Sequence, residues 1–259
     1  MDRPLDQLVT PHDEVRLIDL GCGAGRSLVS AARRFGVPGV GIDLDPRKVR
    51  KARKAGTDAM VGDITLLDPD EFAGVHYVNL DNVLEHLPSL DVVEQVLAGA
   101  VTLADRLVCI RHPSFEDEDY LASLGVKQYW TDWPGEHTAK VRVHEFVAMA
   151  NRLGVYQMLV QPVGLAPDTD DPTILPLDAP SGQRRIGERA GAVSVYDPDR
   201  HGPKPDVTFA RPVYFAFDIV LVVGAGSVEL RYRDDPEATS QRPFVTWRAP
   251  GAGPAITAP

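Results

Sequence analysis

The stretch VRLIDLGCGAGRS, residues 15–27, decides how this chain folds. An apolar run ends in an acid, Asp19, and glycines then occupy positions 21, 23 and 25. Three glycines in five positions indicate a backbone that turns tightly or lies against another group, because glycine has no Cβ and adopts positive φ angles freely. Residues 27–35 then follow the pattern of a helix. The stretch is therefore predicted to be a strand, a tight turn and a helix.

The alternation of apolar runs and helical patterns continues to residue 112. Strands are predicted at 39–43, 58–63, 75–80 and 106–112, and two more are predicted to begin at 155 and to span 213–223. Strands separated by helices of this length form parallel βαβ units, with helices on both faces of the sheet. The first half of the chain is thus predicted to be an α/β unit.

Composition and charge narrow the class of protein. The 259 residues are 44% hydrophobic and 25% charged, which is typical of a soluble globular chain. A net charge of -10 argues against a nucleic-acid partner. The start, MDRPLDQ, lacks the apolar region of a secretory signal, and the apolar stretch 213–226 contains Asp218 and is too short to cross a bilayer. With Cys22 and Cys109 far apart in sequence, we expect a cytoplasmic chain with free thiols and no membrane partner.

The glycine turn has the context of a nucleotide-binding unit. Asp43 ends the second predicted strand, where its carboxylate can accept both ribose hydroxyls. Dinucleotide enzymes use G-x-G-x-x-G, but this chain has G-x-G-x-G, with Arg26 where that pattern has Gly or Ala. The departure favours a ligand without a pyrophosphate, whose cationic tail would lie near Asp19.

Four segments, in register, resemble the motifs of class I S-adenosylmethionine-dependent methyltransferases. They are DLGCGAG at 19–25, GIDLDP at 41–46, GD at 62–63 and NLDNVLEHL at 79–87. The similarity covers about residues 12–112. It implies a doubly wound, mostly parallel seven-stranded sheet with an antiparallel edge strand and helices on both faces, and S-adenosyl-L-methionine as the cofactor.

The resemblance also implies roles for individual residues. Asp43 would bind the ribose and Asp63 the exocyclic amine of adenine. Leu44 would flank the adenine, and Leu80 would offer its backbone to the methionine amine. The full set of cofactor-binding residues that we expect is Asp19, Gly21, Cys22, Gly23, Gly25, Asp43, Leu44, Asp63, Ile64, Leu80 and Asn82.

Histidines near the predicted strand ends are candidates for the chemistry. Methyl transfer from a sulfonium is an in-line displacement that depends on alignment, and a base helps only when the nucleophile carries a proton. His137 is the preferred base, with His86 and His112 as alternatives. His137 lies beside Tyr129, Trp130 and Trp133, which are expected to wall an acceptor pocket or, as an alternative, to plug a long loop into place.

The domain organisation is predicted as one methyltransferase domain over 1–233. It has two long inserts, an irregular 113–142 and a Pro/Asp/Gly-rich 166–212, both expected to bind the acceptor. Residues 234–259 are expected to be a loosely ordered tail.

Two charged segments are interpreted as solvated surface. RKVRKARK at 47–54 invites an RNA-binding interpretation, but Val49 and Ala52 mark an apolar side, so the basic residues form an outer face. FEDEDY at 115–120 has four carboxylates that cannot all converge on one ion, and no metal site is predicted.

The missing motifs favour a small-molecule acceptor. The chain after the fourth strand has no Asn/Asp-Pro-Pro-aromatic motif for a base amine, and the chain has no Pro-Cys pair for pyrimidine activation. We therefore predict transfer of a methyl group to an oxygen, or a nitrogen, of a small metabolite. The alternatives are an NAD-dependent oxidoreductase, against which Arg26 counts, and a non-catalytic S-adenosylmethionine-binding protein.

Overall fold

A computed structural model describes residues 16–72, 74–131, 137–155, 157–179, 186–189, 192–194, 196–225, 227–232 and 243–248. The strands are β1 (Leu17–Leu20), β2 (Gly39–Asp43), β3 (Ala59–Val61), β4 (Tyr77–Asp81), β5 (Leu107–Pro113), β6 (Val126–Gln128), β7 (Gln157–Asp168), β8 (Ile174–Pro176), β9 (Ile186–Arg189), β10 (Ala192–Ser194), β11 (Thr208–Val222), β12 (Ser227–Tyr232) and β13 (Pro243–Arg248). The α-helices are α1 (Arg26–Phe35), α2 (Pro46–Lys54), α3 (Leu90–Leu103), α4 (Glu118–Ser123), α5 (Val143–Arg152) and α6 (Pro198–His201), and 3₁₀ turns lie at Ile64–Leu66, Pro69–Glu71 and Leu84–His86.

A seven-stranded sheet with the order β3-β2-β1-β4-β5-β11-β7 forms the centre of the fold. The neighbours from β3 to β5 pair in parallel, whereas β11 is antiparallel to both β5 and β7. This is the predicted doubly wound sheet with one antiparallel strand. That strand lies one place in from the edge, and β7 forms the edge itself. The chain reverses its direction of winding between β1 and β4, which is where open α/β sheets bind ligands.

The central strands are apolar on both faces because helices and turns cover both sides of the sheet. Ile18 and Leu80 are fully buried in the larger core cluster, together with Leu97 of α3. Leu17 and Leu107 belong to a second cluster that Leu28 of α1 also joins. Each such side chain contributes about 1.5–3 kcal/mol of burial free energy, so the parallel half is a rigid support for the loops at its strand ends.

The second half departs from two expectations. The 113–142 insert was expected to be irregular, yet it contains α4 and β6, and β6 pairs with β8 from the 166–212 insert. The 234–259 tail was expected to be loosely ordered, yet β13 within it pairs along its whole length with β12. The predicted boundary at residue 233 therefore falls inside a strand pair, and the remaining tail residues lie outside those described. Among the described residues, the helices are too short or too polar for a membrane crossing.

Candidate active site

The glycine loop after β1 turns tightly and also lies against a neighbour. Gly21, Gly23 and Gly25 all have positive φ, at 77°, 57° and 90°. A Cβ at Gly21 would overlap the side chain of Val83, which follows β4. The loop is closed by the amides of Gly21 and Cys22, which both donate to the carbonyl of Ile42 at 2.7 and 3.0 Å. Backbone conformation therefore favours glycine at all three positions, and close approach requires it at Gly21.

Asp43 fastens the glycine loop to the end of β2. Its carboxylate accepts the amide hydrogen of Gly23 at 2.8 Å and that of Asp45 at 2.9 Å. These two bonds orient the carboxylate at the end of the strand, beside the loop. A carboxylate held in this way is placed to accept further hydrogen bonds from the hydroxyls of a ribose.

Asp19 lies beneath the loop and is fully buried. Its two oxygens accept hydrogen bonds of 2.6 Å from the hydroxyl of Ser27 and the amide of Asn79. Burial raises the pKa of Asp19 to about 7, and those two hydrogen bonds oppose the shift. Ser27 and Asn79 were not among the predicted site residues. Because Asn79 pairs with Asp19 across β1 and β4, only the strand register shows that it supports the loop.

A cavity of about 650 Å³ opens beside the loop, within the range of small-ligand pockets. It contains five predicted cofactor residues: Gly21, Asp43, Leu44, Asp63 and Ile64. Cys22, Gly23, Gly25, Leu80, Asn82 and Asp19 are absent from its wall. The wall also includes six residues for which the sequence predicts no cofactor role: Lys48, Gly62, Thr65, Val83, Leu87 and Pro88. His86, predicted as a candidate base, lines the same cavity.

The far wall of the cavity is suited to an adenine ring. Leu44 is 67% exposed, which is unusual for a leucine and leaves an apolar surface open beside Asp43. Asp63 accepts hydrogen bonds from the amide and the hydroxyl of Thr65 at 2.9 and 2.7 Å, and so begins the 3₁₀ turn at Ile64–Leu66. The bonds to Thr65 fix the carboxylate of Asp63 at the cavity wall.

Three further predicted residues, Leu80, Cys22 and Asn82, lie outside the cavity wall. Leu80 is fully buried in the core, and Cys22 is a buried free thiol. Burial raises the pKa of Cys22 to about 12, so the thiol stays protonated and is not a nucleophile. Asn82 has a φ of 52°, a left-handed conformation that is uncommon outside glycine and often marks functional turns. The backbone of this turn follows β4 directly.

The three predicted histidines converge on one residue, Glu85. The Glu85 side chain is 1% exposed, and its Oε2 lies 3.5 Å from Nδ1 of His112. Its Oε1 lies 4.0 Å from Nε2 of His86, whose ring centroid is 5.1 Å from that of His137. Glu85 lies within the motif at 79–87, and the sequence alone predicts no role for it. The carbonyl of Glu85 accepts hydrogen bonds from Thr138 and Ala139, which brings two segments distant in sequence together.

His137 has a defined tautomer. Its Nδ1 lies 3.0 Å from the carbonyl oxygen of Trp130, and a carbonyl only accepts, so Nδ1 carries the hydrogen and Nε2 the lone pair. Burial lowers the pKa of His137, while the charge of Glu85 opposes the shift. The imidazole is therefore neutral near pH 7, as a base or a metal ligand must be.

The predicted aromatic wall is a packed cluster. Tyr129 and Trp130 are buried against Phe115, Phe215 and Leu175, and the indole of Trp130 donates to the carbonyl of Ser114 at 3.1 Å. This packing agrees with the plug alternative for these two residues. Trp133, the third predicted acceptor contact, lies outside the described residues.

The class of protein follows from the sheet order, the glycine loop and Asp43 together with a match to a family model. Residues 17–103 match the family described as "Methyltransferase domain". Together with the sheet order and the glycine loop, this match identifies residues 17–103 as a class I S-adenosylmethionine-dependent methyltransferase domain, whose cofactor is S-adenosylmethionine. A SAM-dependent methyltransferase from Archaeoglobus fulgidus shares the fold, with a TM-score of 0.52 at 11% identity over 82% of this chain and 87% of that one.

The curated relatives match less than half of this chain. A trans-aconitate 2-methyltransferase of Rhizobium rhizogenes is 33% identical over 113 residues, and the match covers 39% of this chain and 43% of that protein. An aklanonic acid methyltransferase of Streptomyces sp. is 36% identical over 72 residues, 27% of this chain and 33% of that protein. The chain thus matches less than half the length of either relative.

Proposed function

We propose that this protein transfers the methyl group of S-adenosylmethionine to an oxygen of a small, carboxylate-bearing metabolite. The observation that carries the proposal is the placement of His86 on the wall of the cofactor-sized cavity, with His137 and Glu85 directly beside it. Transfer to a nitrogen is the second possibility for the target atom. Small-molecule chemistry and a cytoplasmic location are parts of the same proposal.

The residues present fit the cofactor. A loop that leaves no room for a Cβ at Gly21, the oriented carboxylate of Asp43 and the open apolar face of Leu44 suit the methionine portion, the ribose and the adenine respectively. Asp63 would accept the exocyclic amine. We propose that Asp19 acts through the loop, because its carboxylate is fully buried with Ser27 and Asn79. When bound, S-adenosylmethionine supplies a methyl group already activated by its sulfonium.

The remaining predicted cofactor residues act through their backbone in this proposal. Leu80 has its side chain in the core, so only its main chain is available to the methionine amine. Asn82 shapes the turn after β4 through its positive φ. Cys22, Gly23 and Gly25 define the loop, while Ile64 packs at the adenine end of the cavity.

The chain's own contribution to the chemistry is alignment and, for a protonated acceptor, proton removal. Alignment of the reacting groups can supply about 7–11 kcal/mol of the barrier reduction. His137 Nε2 carries a lone pair on a neutral ring, so we propose that it accepts the proton of an acceptor hydroxyl. His86 and His112 remain the alternative bases, and His112 is the more buried of the two.

The acceptor class is supported by the names of the relatives. Trans-aconitate and aklanonic acid are both carboxylic acids, and both appear in the names of methyltransferases that match 39% and 27% of this chain. The acceptor itself would be held by residues beyond β5. We propose that 1–233 is one catalytic domain in which the inserts 113–142 and 166–212 enclose the acceptor, with Tyr129, Trp130 and Trp133 in the first of them.

The test is an acceptor screen. The purified chain is incubated with S-adenosylmethionine and a panel of small carboxylic acids, and products that gain 14 Da are identified by mass spectrometry. His137→Ala is expected to lower kcat by about 100-fold on an acceptor that must lose a proton. His144→Ala, at an exposed histidine on α5, is the matched control and should keep full activity.

Two outcomes would contradict the proposal. Tight cofactor binding without any product across the panel would favour the non-catalytic S-adenosylmethionine-binding alternative. A loss of kcat in His86→Ala or His112→Ala, with none in His137→Ala, would show that the base is a different histidine.

A further inference from the structure

The carboxylate of Glu85 is buried, so its negative charge requires a positive charge nearby. The side chain is 1% exposed, and Oε2 has no hydrogen bond to any residue that the structure describes. Its surroundings are His86, His112 and His137. A buried carboxylate with one oxygen lacking a hydrogen bond is unfavourable unless a nearby cation or a proton balances its charge. The site therefore calls for a positive charge among these histidines.

The imidazole of His137 makes the supporting hydrogen bond that is typical of a metal-binding histidine. Metal-binding histidines generally donate their other ring N–H to a carbonyl or carboxylate, which fixes the tautomer and aims the lone pair. The Nδ1 of His137 makes this hydrogen bond to the Trp130 carbonyl at 3.0 Å. Trp130 is itself anchored through its indole to the Ser114 carbonyl, so the support is rigid.

We propose that Glu85, His86 and His137 bind a divalent transition-metal ion. One ligand atom from each residue lies within 4.8 Å of the other two. Ligand atoms at about 2.0–2.2 Å from one ion lie about 3.3–3.6 Å apart in tetrahedral geometry, so the side chains must close by at most about 1.5 Å to complete the set. His86, whose side chain is 42% exposed, has room to make that shift. Two imidazoles and a carboxylate suit Zn²⁺, Co²⁺ or Ni²⁺.

The ligands come from two segments that the backbone holds together. The carbonyl of Glu85 accepts the amide hydrogens of Thr138 at 2.9 Å and Ala139 at 3.1 Å. These bonds fix the 3₁₀ turn that carries Glu85 and His86 against the residues that follow His137. Behind the carboxylate, the ring of His112 is enclosed by those of Phe115 and Phe146, at centroid distances of 5.4 and 5.3 Å. The cluster is therefore preorganised on its buried side and open at His86.

The open side defines what the ion would hold. Three protein ligands leave a coordination position, and His86 lines the cavity in which the cofactor is proposed to lie. One carboxylate and one divalent cation leave a positive site, which favours an anionic oxygen. This part rests on the proposed function and deepens it. With the ion bound, the lone pair of His137 is a metal ligand and is not available as the base proposed above. The acceptor must then arrive already ionised, as a carboxylate does.

The test is metal binding by the full-length chain without acceptor. Protein treated with EDTA is titrated with CoCl₂, followed by visible absorption, and with ZnCl₂, followed by calorimetry. One Co²⁺ per chain is expected. Loss of a supporting residue around a metal site weakens affinity by about 10–100-fold, so loss of a ligand in Glu85→Gln or His137→Ala should weaken it by at least about 100-fold. His144→Ala, the exposed control on α5, should bind Co²⁺ like the wild type.

S-adenosylhomocysteine affinity is measured on the same samples and shows that the variants are folded. Equal Co²⁺ affinity in the wild type, Glu85→Gln and His137→Ala, or no binding by the wild type, would overturn the metal site. Metal binding without S-adenosylhomocysteine binding would instead overturn the proposed function. A saturable change in the Co²⁺ spectrum on adding trans-aconitate supports the acceptor class, and an unchanged spectrum contradicts it.

Discussion

At the scale of single residues, Asp43 does two jobs with one carboxylate. It accepts amide hydrogens from Gly23 and Asp45, which shapes the glycine loop, and it faces the cavity that would receive the ribose. Its neighbour Asp45 has only a structural role. The Asp45 side chain caps α2 by accepting the amide hydrogen of Arg47 at 2.8 Å. The two aspartates therefore form a matched pair for mutation.

Asp43→Ala is expected to weaken S-adenosylmethionine binding at least tenfold. Hydrogen bonds to a charged group contribute about 1.5–3 kcal/mol each, and 1.4 kcal/mol corresponds to a factor of ten. Calorimetry with S-adenosylmethionine and S-adenosylhomocysteine measures the change. Asp45→Ala should cost about 1 kcal/mol of helix-cap stability and leave the cofactor affinity nearly unchanged. Equal affinities for the wild type and Asp43→Ala would remove Asp43 from the cofactor site.

Asp19 makes the stability of the protein depend on pH. Because its pKa is raised from 3.8 to about 7, the folded chain binds a proton that the unfolded chain releases between these values. Stability from this group is therefore lost as the pH rises from about 4 to 7, by up to about 1.4 kcal/mol for each unit of pKa shift. Asp19→Asn removes the effect and keeps a side chain of the same shape.

The measurement is urea unfolding of both proteins at pH 5 and pH 8. The wild type should lose more stability than Asp19→Asn between the two, by a few kcal/mol at most. Asp91→Asn, at an exposed position on α3, changes the net charge equally and is the control. Parallel pH dependence of the wild type and Asp19→Asn would show that Asp19 is ionised equally in both states.

At the scale of helices and strands, α2 has the exposed basic face and the buried apolar side that the sequence predicts. Val49 and Ala52 are buried against the sheet, whereas Arg50, Lys51 and Lys54 are exposed. Replacing these three basic residues by Gln should therefore leave turnover and cofactor affinity within a few-fold of the wild type. Filter binding with a generic RNA over a salt series checks the alternative. A measurable RNA affinity with a steep salt slope that disappears in the triple variant would contradict the solvated-face interpretation.

The same scale shows where sequence patterns stop being informative. In the first half, strand β2 has its predicted bounds, 39–43, and β5 is displaced by one residue, because continuous apolar runs between helices leave few alternatives. In the 113–142 insert, α4 has six residues and only Leu121 is buried. The sequence therefore has no apolar periodicity that would predict a helix there. Strand β6 is three residues long and exists because β8 pairs with it.

The candidate site also contains features that the sequence predicts and features that depend on contacts between distant residues. The glycine loop and Asp43 are contiguous motifs and were predicted, whereas the support of Asp19 by Asn79 depends on strand register. The proximity of Glu85 to His137 depends on backbone hydrogen bonds between residues more than fifty positions apart. No local pattern contains that pairing. The histidines were therefore selected individually, and their common partner was not.

At the scale of the whole molecule, one sheet joins the parallel strands β1–β5 to the later strands β7 and β11. The proposed cofactor residues lie at the ends of β1, β2, β3 and β4, and His137 lies beyond β5. Antiparallel pairing of β11 with β5 and β7 joins the later strands to this frame, and the Arg111–Asp218 ion pair, with two contacts of 2.7 Å, links β5 to β11. A ligand of the first half should therefore stabilise the entire chain against unfolding.

S-adenosylhomocysteine at about 100 times its Kd should stabilise the folded chain by about 2.7 kcal/mol, because it binds the folded state alone. For a chain of this size that is a rise in Tm of roughly 5–10 °C. In Asp43→Ala, a tenfold weaker Kd should reduce the gain in stability at the same concentration to about half. In contrast, His137→Ala should keep the full shift because its side chain lies outside the cofactor cavity.

NAD should give no comparable shift, since Arg26 replaces the small residue that a dinucleotide loop uses at that position. Differential scanning fluorimetry over a ligand series separates these cases. A larger Tm shift with NAD than with S-adenosylhomocysteine would mean that the loop binds a dinucleotide. An equal reduction of the Tm shift in Asp43→Ala and His137→Ala would mean that the cofactor site depends on His137 as well.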